Sequence, residues 1–362
     1  MYEKELNAIK KSNLYRQRKI FDENLIDLAS NDYLGLSSNE TLFKNAYENV
    51  LKQKYRSPKA SILVNGYSQI HKKFEDDLKK ANKFEEALVV GSGFLANVSM
   101  IEALVRKGDT LFIDEEYHAS GILATKLLKK EQVILFSHND YQDLENKIKI
   151  RELKGRFIIA IEGVYSMSGN IAHKEFFDIS NKYDALLIVD EAHSSGVIGE
   201  NLLGIFDYYN IKPQKNHIKM GTLGKAYGSY GAYILSSKNI IDFLINRAKA
   251  VIYTTAPSLF DIALANESLK YILSNTNEIK TKIKNRQKVI KEELDIESKS
   301  LITAYEIGEN KKVLEIQKKV LENGYIVGAI RQPTVKSAII RLISKIDVSI
   351  DDLQKVCKLI KI

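Results

Sequence analysis

Six short runs dominated by apolar residues do most to limit what this chain can fold into. They are ALVV (87–90), TLFI (110–113), VILF (133–136), FIIAI (157–161), ALLIV (185–189) and GAYIL (231–235). A strand with one face in water alternates apolar and polar residues, whereas a strand covered on both faces reads as a continuous apolar run. Helical patterns separate the runs, and that order predicts an α/β domain with a mainly parallel central sheet. Residues 1–20 read as an amphipathic helix followed by a basic turn. Beyond residue 260 the style changes. A long helical stretch (259–295) leads to a strand candidate LITAYEI (301–307) and a helix near 310–322 that stops at Asn323-Gly324. Strands YIVGAI (325–330) and SAIIRLI (337–343) follow, then a helix opening at SIDD, where Ser349 and Asp352 resemble a capping box. The chain therefore divides into an N-terminal helix and arm (1–40), a large α/β domain (41–260) and a small α+β domain (261–362).

Composition excludes several classes of protein. The balance of 54 basic against 46 acidic residues gives +8, which suits an anionic partner. The basic residues are dispersed, with small clusters at Lys10–Lys11 and Arg16–Lys19 and no nucleic-acid-binding signature. The single cysteine, Cys357, rules out intrachain disulfides and cysteine metal clusters. His71, His118, His138, His173, His193 and His217 show no HxH or HExxH spacing, so no metal site is expected. The first residues, MYEKELNAIKKSN, are charged, and no apolar run approaches the roughly 18 residues that span a bilayer. The expected location is the cytoplasm.

Three motifs carry chemistry. VVGSGFLAN (89–97) follows a strand with GxGxxA spacing, and amides at such a strand-to-helix turn attract phosphate. DEAH (190–193) lacks the P-loop that a helicase needs, but Asp190 closes the run ALLIV, where ligands of open α/β sheets bind. In MGTLGKAYGSYGAYILS (220–236), Lys225 sits among Gly221, Gly224, Gly228 and Gly231, as though the backbone must pass close to a ligand. An acid at a buried strand end, a phosphate turn and a lysine in a glycine-rich loop are the three requirements of pyridoxal phosphate.

Read together, SNDYLGLS (30–37), NGYSQIHKKFE (65–75), GSGFLAN (91–97), YHAS (117–120), EGVYSMSG (162–169), DEAHSSGVIGE (190–200), TLGKAYG (222–228), IYTTAPS (252–258) and AIRQPTV (329–335) resemble the α-oxoamine synthases over nearly the whole chain. The resemblance implies the type I pyridoxal-phosphate transferase fold, like that of aspartate aminotransferase. It implies decarboxylative condensation of L-alanine with a pimeloyl thioester, carried on an acyl carrier protein or coenzyme A, in biotin synthesis. Condensation of glycine with a short acyl-coenzyme A is the alternative. By the same resemblance, Lys225 holds the cofactor covalently, Asp190 pairs with its ring nitrogen, His193 bonds its phenolic oxygen with Ser166 nearby, and His118 stacks on the ring. Gly93 and Phe94 offer amides to the phosphate, helped by Thr222, and Thr255 reaches the phosphate of the neighbouring subunit of a homodimer. Asn31 and Arg331 hold the substrate carboxylate. The chain departs from the family in SMSGN, where Ser168 and Asn170 replace acids, and in RSPKASILV (56–64), which has fewer glycines. Either Tyr15 or Arg16 matches an N-terminal substrate contact.

Overall fold

The computed structural model describes every residue except Asn13, Leu153 and Ile362. A short strand β1 (Ile26–Asp27) precedes seven strands that form the central sheet. These are β2 (Glu86–Val90), β3 (Thr110–Asp114), β4 (Val133–Phe136), β5 (Phe157–Glu162), β6 (Leu186–Asp190), β7 (His217–Thr222) and β8 (Ala232–Ser236). Their order is β2-β8-β7-β6-β5-β3-β4. Neighbours from β7 to β4 run parallel, and β8 is antiparallel to both β2 and β7. All six apolar runs are strands. The seventh, β7, reads HIKMGT and escapes the apolar pattern because it buries His217 and Lys219.

The sheet is covered on both faces, as its sequence requires. Val89, Phe112, Ile159, Ile161, Leu187 and Val189 pack into one core. Their alternating neighbours Leu88, Val90, Leu111, Ile113, Ile158 and Ile188 pack into another. Each such side chain contributes roughly 1.5–3 kcal/mol on burial, so a polar residue on either face is costly unless it finds a partner.

Beyond residue 260 the helical stretch is two helices, Leu259–Ser274 and Thr276–Leu294, divided at Asn275. Strands β9 (Ile302–Gly308), β11 (Gly328–Ile330) and β12 (Ala338–Ile343) form an antiparallel sheet in the order β11-β12-β9. The run 325–330 is not one strand. Its first part, β10 (Tyr325–Ile326), pairs in parallel with β1, and its second part is β11. A third core joins Leu28 to Ile290, Val313, Ile340, Leu342 and Val356, tying the N-terminal arm to the C-terminal sheet. The last helix, Ile350–Ile360, is capped as its sequence suggests, Ser349 Oγ accepting from Asp352 N at 3.1 Å. At the N-terminus only Glu3–Lys11 is helical, and that helix buries no residue.

Candidate active site

The C-terminal ends of β5, β6 and β7 lie side by side, and each delivers one functional group. Asp190 ends β6 and is 4% exposed. A carboxylate this deep is costly unless it is held, and both its oxygens are. Oδ2 accepts from Asn97 Nδ2 at 2.7 Å, and Oδ1 accepts from the backbone N–H of Ala192 at 2.9 Å. Glu162, which ends β5, is the register partner of Asp190. Burial, then the neighbouring Asp190 charge, holds the Glu162 carboxyl well above the usual carboxylate range. Its Oε2 accepts from Ser166 N at 2.9 Å, and its Oε1 is buried with no partner among the described residues.

Lys225 lies on the loop that leaves β7. Two of its glycines are fixed by close approach. A β carbon on Gly221 would fall 2.3 Å from the Tyr233 ring, and one on Gly228, whose φ is +57°, would fall 2.5 Å from Ser37 N. The loop is thus pressed between β8 and the segment SNDYLGLS, which aims Lys225 inward. Its Nζ lies 2.7 Å from His193 Nε2. Burial lowers the lysine to about 8, while Asp190 and Glu162 oppose that shift. Burial, with the positive charges of Lys225, Arg341 and His118, keeps His193 well below the ordinary histidine range. His118 senses both Asp190 and Lys225, is itself lowered by burial, and has Nδ1 2.7 Å from Ser120 Oγ. Ser120 Oγ in turn accepts from Asn97 Nδ2 at 3.0 Å. Lys225, Asp190, His193 and His118 therefore form one cluster.

The turn of the GSGFLAN motif forms beside it. Ser92 caps the helix Gly93–Leu104, its Oγ accepting from Leu95 N at 3.3 Å. Gly93 lies against Thr222, whose Cβ would stand 3.6 Å from a β carbon on Gly93. Phe94 follows, its side chain exposed. Thr222 Oγ1 donates to Gly231 O at 3.1 Å.

Asn31 and Ser166 converge on an arginine that sequence reasoning missed. Arg341, on β12 and 6% exposed, donates from Nη2 to Asn31 Oδ1 at 3.0 Å and from Nε to Ser166 O at 2.7 Å. Arg331 stands ten residues earlier, just beyond β11, and is partly exposed. Thr255 is exposed, outside the cluster. The neighbouring Ala256 is pinned through its N–H to Ala60 O at 3.0 Å. Arg341 carried a legible signal, being the one charge inside the apolar run SAIIRLI. Tyr33, Asn97 and Glu162 lie within motifs already singled out, but nothing in their spacing marks them for the site.

The sequence model of the family described as "Aminotransferase class I and II" matches residues 23–360. The chain belongs to that family. Its fold is that of the type I pyridoxal-phosphate transferases, and pyridoxal phosphate is its cofactor. It is 45% identical to an 8-amino-7-oxononanoate synthase of Helicobacter pylori strain J99, over 97% of this chain and 94% of the relative. A putative 8-amino-7-oxononanoate synthase of Aquifex aeolicus is 37% identical over 94% of this chain and 91% of its own. Among solved structures, a serine palmitoyltransferase of Sphingomonas wittichii superposes with a TM-score of 0.90 at 24% identity, covering 99% of this chain and 97% of that one. The 8-amino-7-oxononanoate synthase of Francisella tularensis superposes with a TM-score of 0.77 at 28% identity, covering 94% and 97%. The resemblance to α-oxoamine synthases thus extends over the whole family match.

Proposed function

We propose that the chain condenses L-alanine with a pimeloyl thioester, releasing carbon dioxide and the free thiol and yielding 8-amino-7-oxononanoate for biotin synthesis. The observation that carries this reading is the 45% identity, over 97% of the chain, to a relative of that name.

The residues present fit the cofactor. A buried carboxylate, a lysine of lowered basicity and a helix N-terminus facing a threonine stand together. Pyridoxal phosphate, when bound, supplies an electrophilic aldehyde and a pyridinium ring that draws charge from the amino-acid Cα. Lys225 would be the attachment residue and the base that moves the proton at Cα. Its value of about 8 leaves a useful fraction of free amine in near-neutral solution. Asp190 would hold the proton at the ring nitrogen, His193 would bond the phenolic oxygen and His118 would cover the ring. Gly93, Phe94 and Thr222 would hold the phosphate. Arg341 with Asn31 orients the substrate carboxylate, which leaves as carbon dioxide, and an arginine fork suits that task. Arg331 is a second candidate for the same carboxylate. The acyl chain enters a cavity of about 860 Å³ lined by His118, Ile122, Ser166, Met167, Pro333 and Lys336.

The working unit in this reading is a cytoplasmic homodimer, with Thr255 serving the partner's phosphate site. Phe43, Tyr47, Leu51, Tyr55, Leu63 and Val64 are all exposed within one stretch of chain, and a partner subunit would cover them. Either acyl carrier is anionic, which suits the net charge of +8. Loading the protein with cofactor and supplying alanine or glycine with pimeloyl-coenzyme A or pimeloyl-carrier protein tests the reading. The expected result is carbon dioxide release and a product of the mass of 8-amino-7-oxononanoate, from alanine only. Product from glycine alone overturns it in favour of the sibling condensation. A keto acid without carbon dioxide overturns it in favour of transamination.

A further inference from the structure

We propose that Tyr33 is a positioning residue that fixes which ring nitrogen of His193 carries the proton. Tyr33 is completely buried, and its hydroxyl lies 2.5 Å from His193 Nδ1, across 160 residues of sequence. Burial pushes the phenol above its ordinary range, so it keeps its proton throughout the neutral range. The positive charge of Arg341 opposes that rise without overcoming it. The hydroxyl proton must therefore go to an acceptor, and two are in reach. Asn31 Oδ1 is 3.3 Å away and already accepts from Arg341. His193 Nδ1 is nearer and has no other hydrogen-bond partner among the described residues, so the proton points there.

A neutral imidazole that accepts at Nδ1 must donate at Nε2. His193 is neutral because it is buried among Lys225, Arg341 and His118. Its Nε2–H therefore faces Lys225 Nζ, 2.7 Å away. An ammonium there would set donor against donor, so this tautomer favours the free amine of Lys225. Asp190 and Glu162 pull the other way, and Arg341 pulls with it. Arg341, Asn31, Tyr33, His193 and Lys225 thus stand in one line of polar contacts, from the residue that orients the substrate carboxylate, under the function proposed above, to the base.

The experiment uses protein labelled with ¹⁵N-histidine, with and without bound cofactor, and His193→Gln to assign the signal. In the wild type, His193 should carry its proton on Nε2 and stay neutral across the neutral range. Tyr33→Phe removes one hydroxyl from a site that keeps its ring. In it, His193 should populate both tautomers, and acylation of Lys225 in the cofactor-free protein should reach half its maximal rate about one pH unit higher. A proton on Nδ1 in the wild type overturns the proposal, and so does a Tyr33→Phe signal identical to wild type. The tautomer is read without substrate. A wrong assignment of the reaction therefore appears as a missing product with the tautomer intact, and failure of the Tyr33 proposal appears as product with the wrong tautomer.

Discussion

Lys219 Nζ lies 3.7 Å from Glu191 Oε1, with the two side chains 1% and 0% exposed. Lys219 also donates to Asn82 Oδ1 at 2.8 Å and to Leu203 O. Glu191 accepts from Ile205 N and from the Ser194 hydroxyl. The pair pins the loop that carries His193 onto β7. Removing one member leaves the other charged and unpaired. Lys219→Met should destabilise the fold by about 3–5 kcal/mol, and adding Glu191→Gln should recover much of the loss. Urea unfolding of the single and double variants checks this, and equal losses in the two would show that the charges are not coupled.

Lys225→Ala should abolish product formation while the fold survives, since a glycine-rich loop does not depend on the lysine for packing. Activity within tenfold of wild type would remove Lys225 from the role assigned to it.

The basicity of Lys225 has its own signature. Its folded value of about 8 lies below the ordinary lysine value of 10.5, so between these limits the unfolded chain binds the extra proton. Stability of the cofactor-free protein should rise as pH climbs from about 8 towards 10.5, and it carries the full penalty below 8. Lys225→Met should flatten that slope. Denaturation midpoints of both proteins across this range give the comparison.

Asp190→Asn keeps the size of the side chain but not its charge. Turnover should fall by roughly 10²–10³-fold, the scale on which one well-placed electrostatic group acts. Circular dichroism should stay unchanged, and near-normal turnover would mean that Asp190 is not the ring's partner.

Arg341 and Arg331 can be separated by kinetics. Losing a charged hydrogen bond costs about 1.5–3 kcal/mol, so Arg341→Gln should raise the KM for the amino acid by roughly 10- to 150-fold. Arg331→Gln should do much less. The reverse ranking would return the carboxylate to Arg331.

The sheet was legible wherever burial on both faces wrote itself as an apolar run. It was illegible at β7, because Lys219 and His217 are buried against partners that only folding supplies. YIVGAI looked continuous because hydropathy does not record a change of partner, from β1 to β12. At the site, Lys225 and Asp190 stood out by their local setting, a lysine among glycines and an acid closing an apolar run, whereas His193 and His118 entered only through the family resemblance. Tyr33 and Asn97 were not, because each acts through a group some 160 or 93 residues away.

The bond between Arg341 and Asn31 joins positions 310 residues apart. Arg341 can meet Asn31 only after the whole central sheet, complete at Ser236, has been made. A nascent chain can complete its central sheet well before it owns a finished substrate pocket. A chain cut before β12 would therefore lack Arg341 however well its central sheet formed.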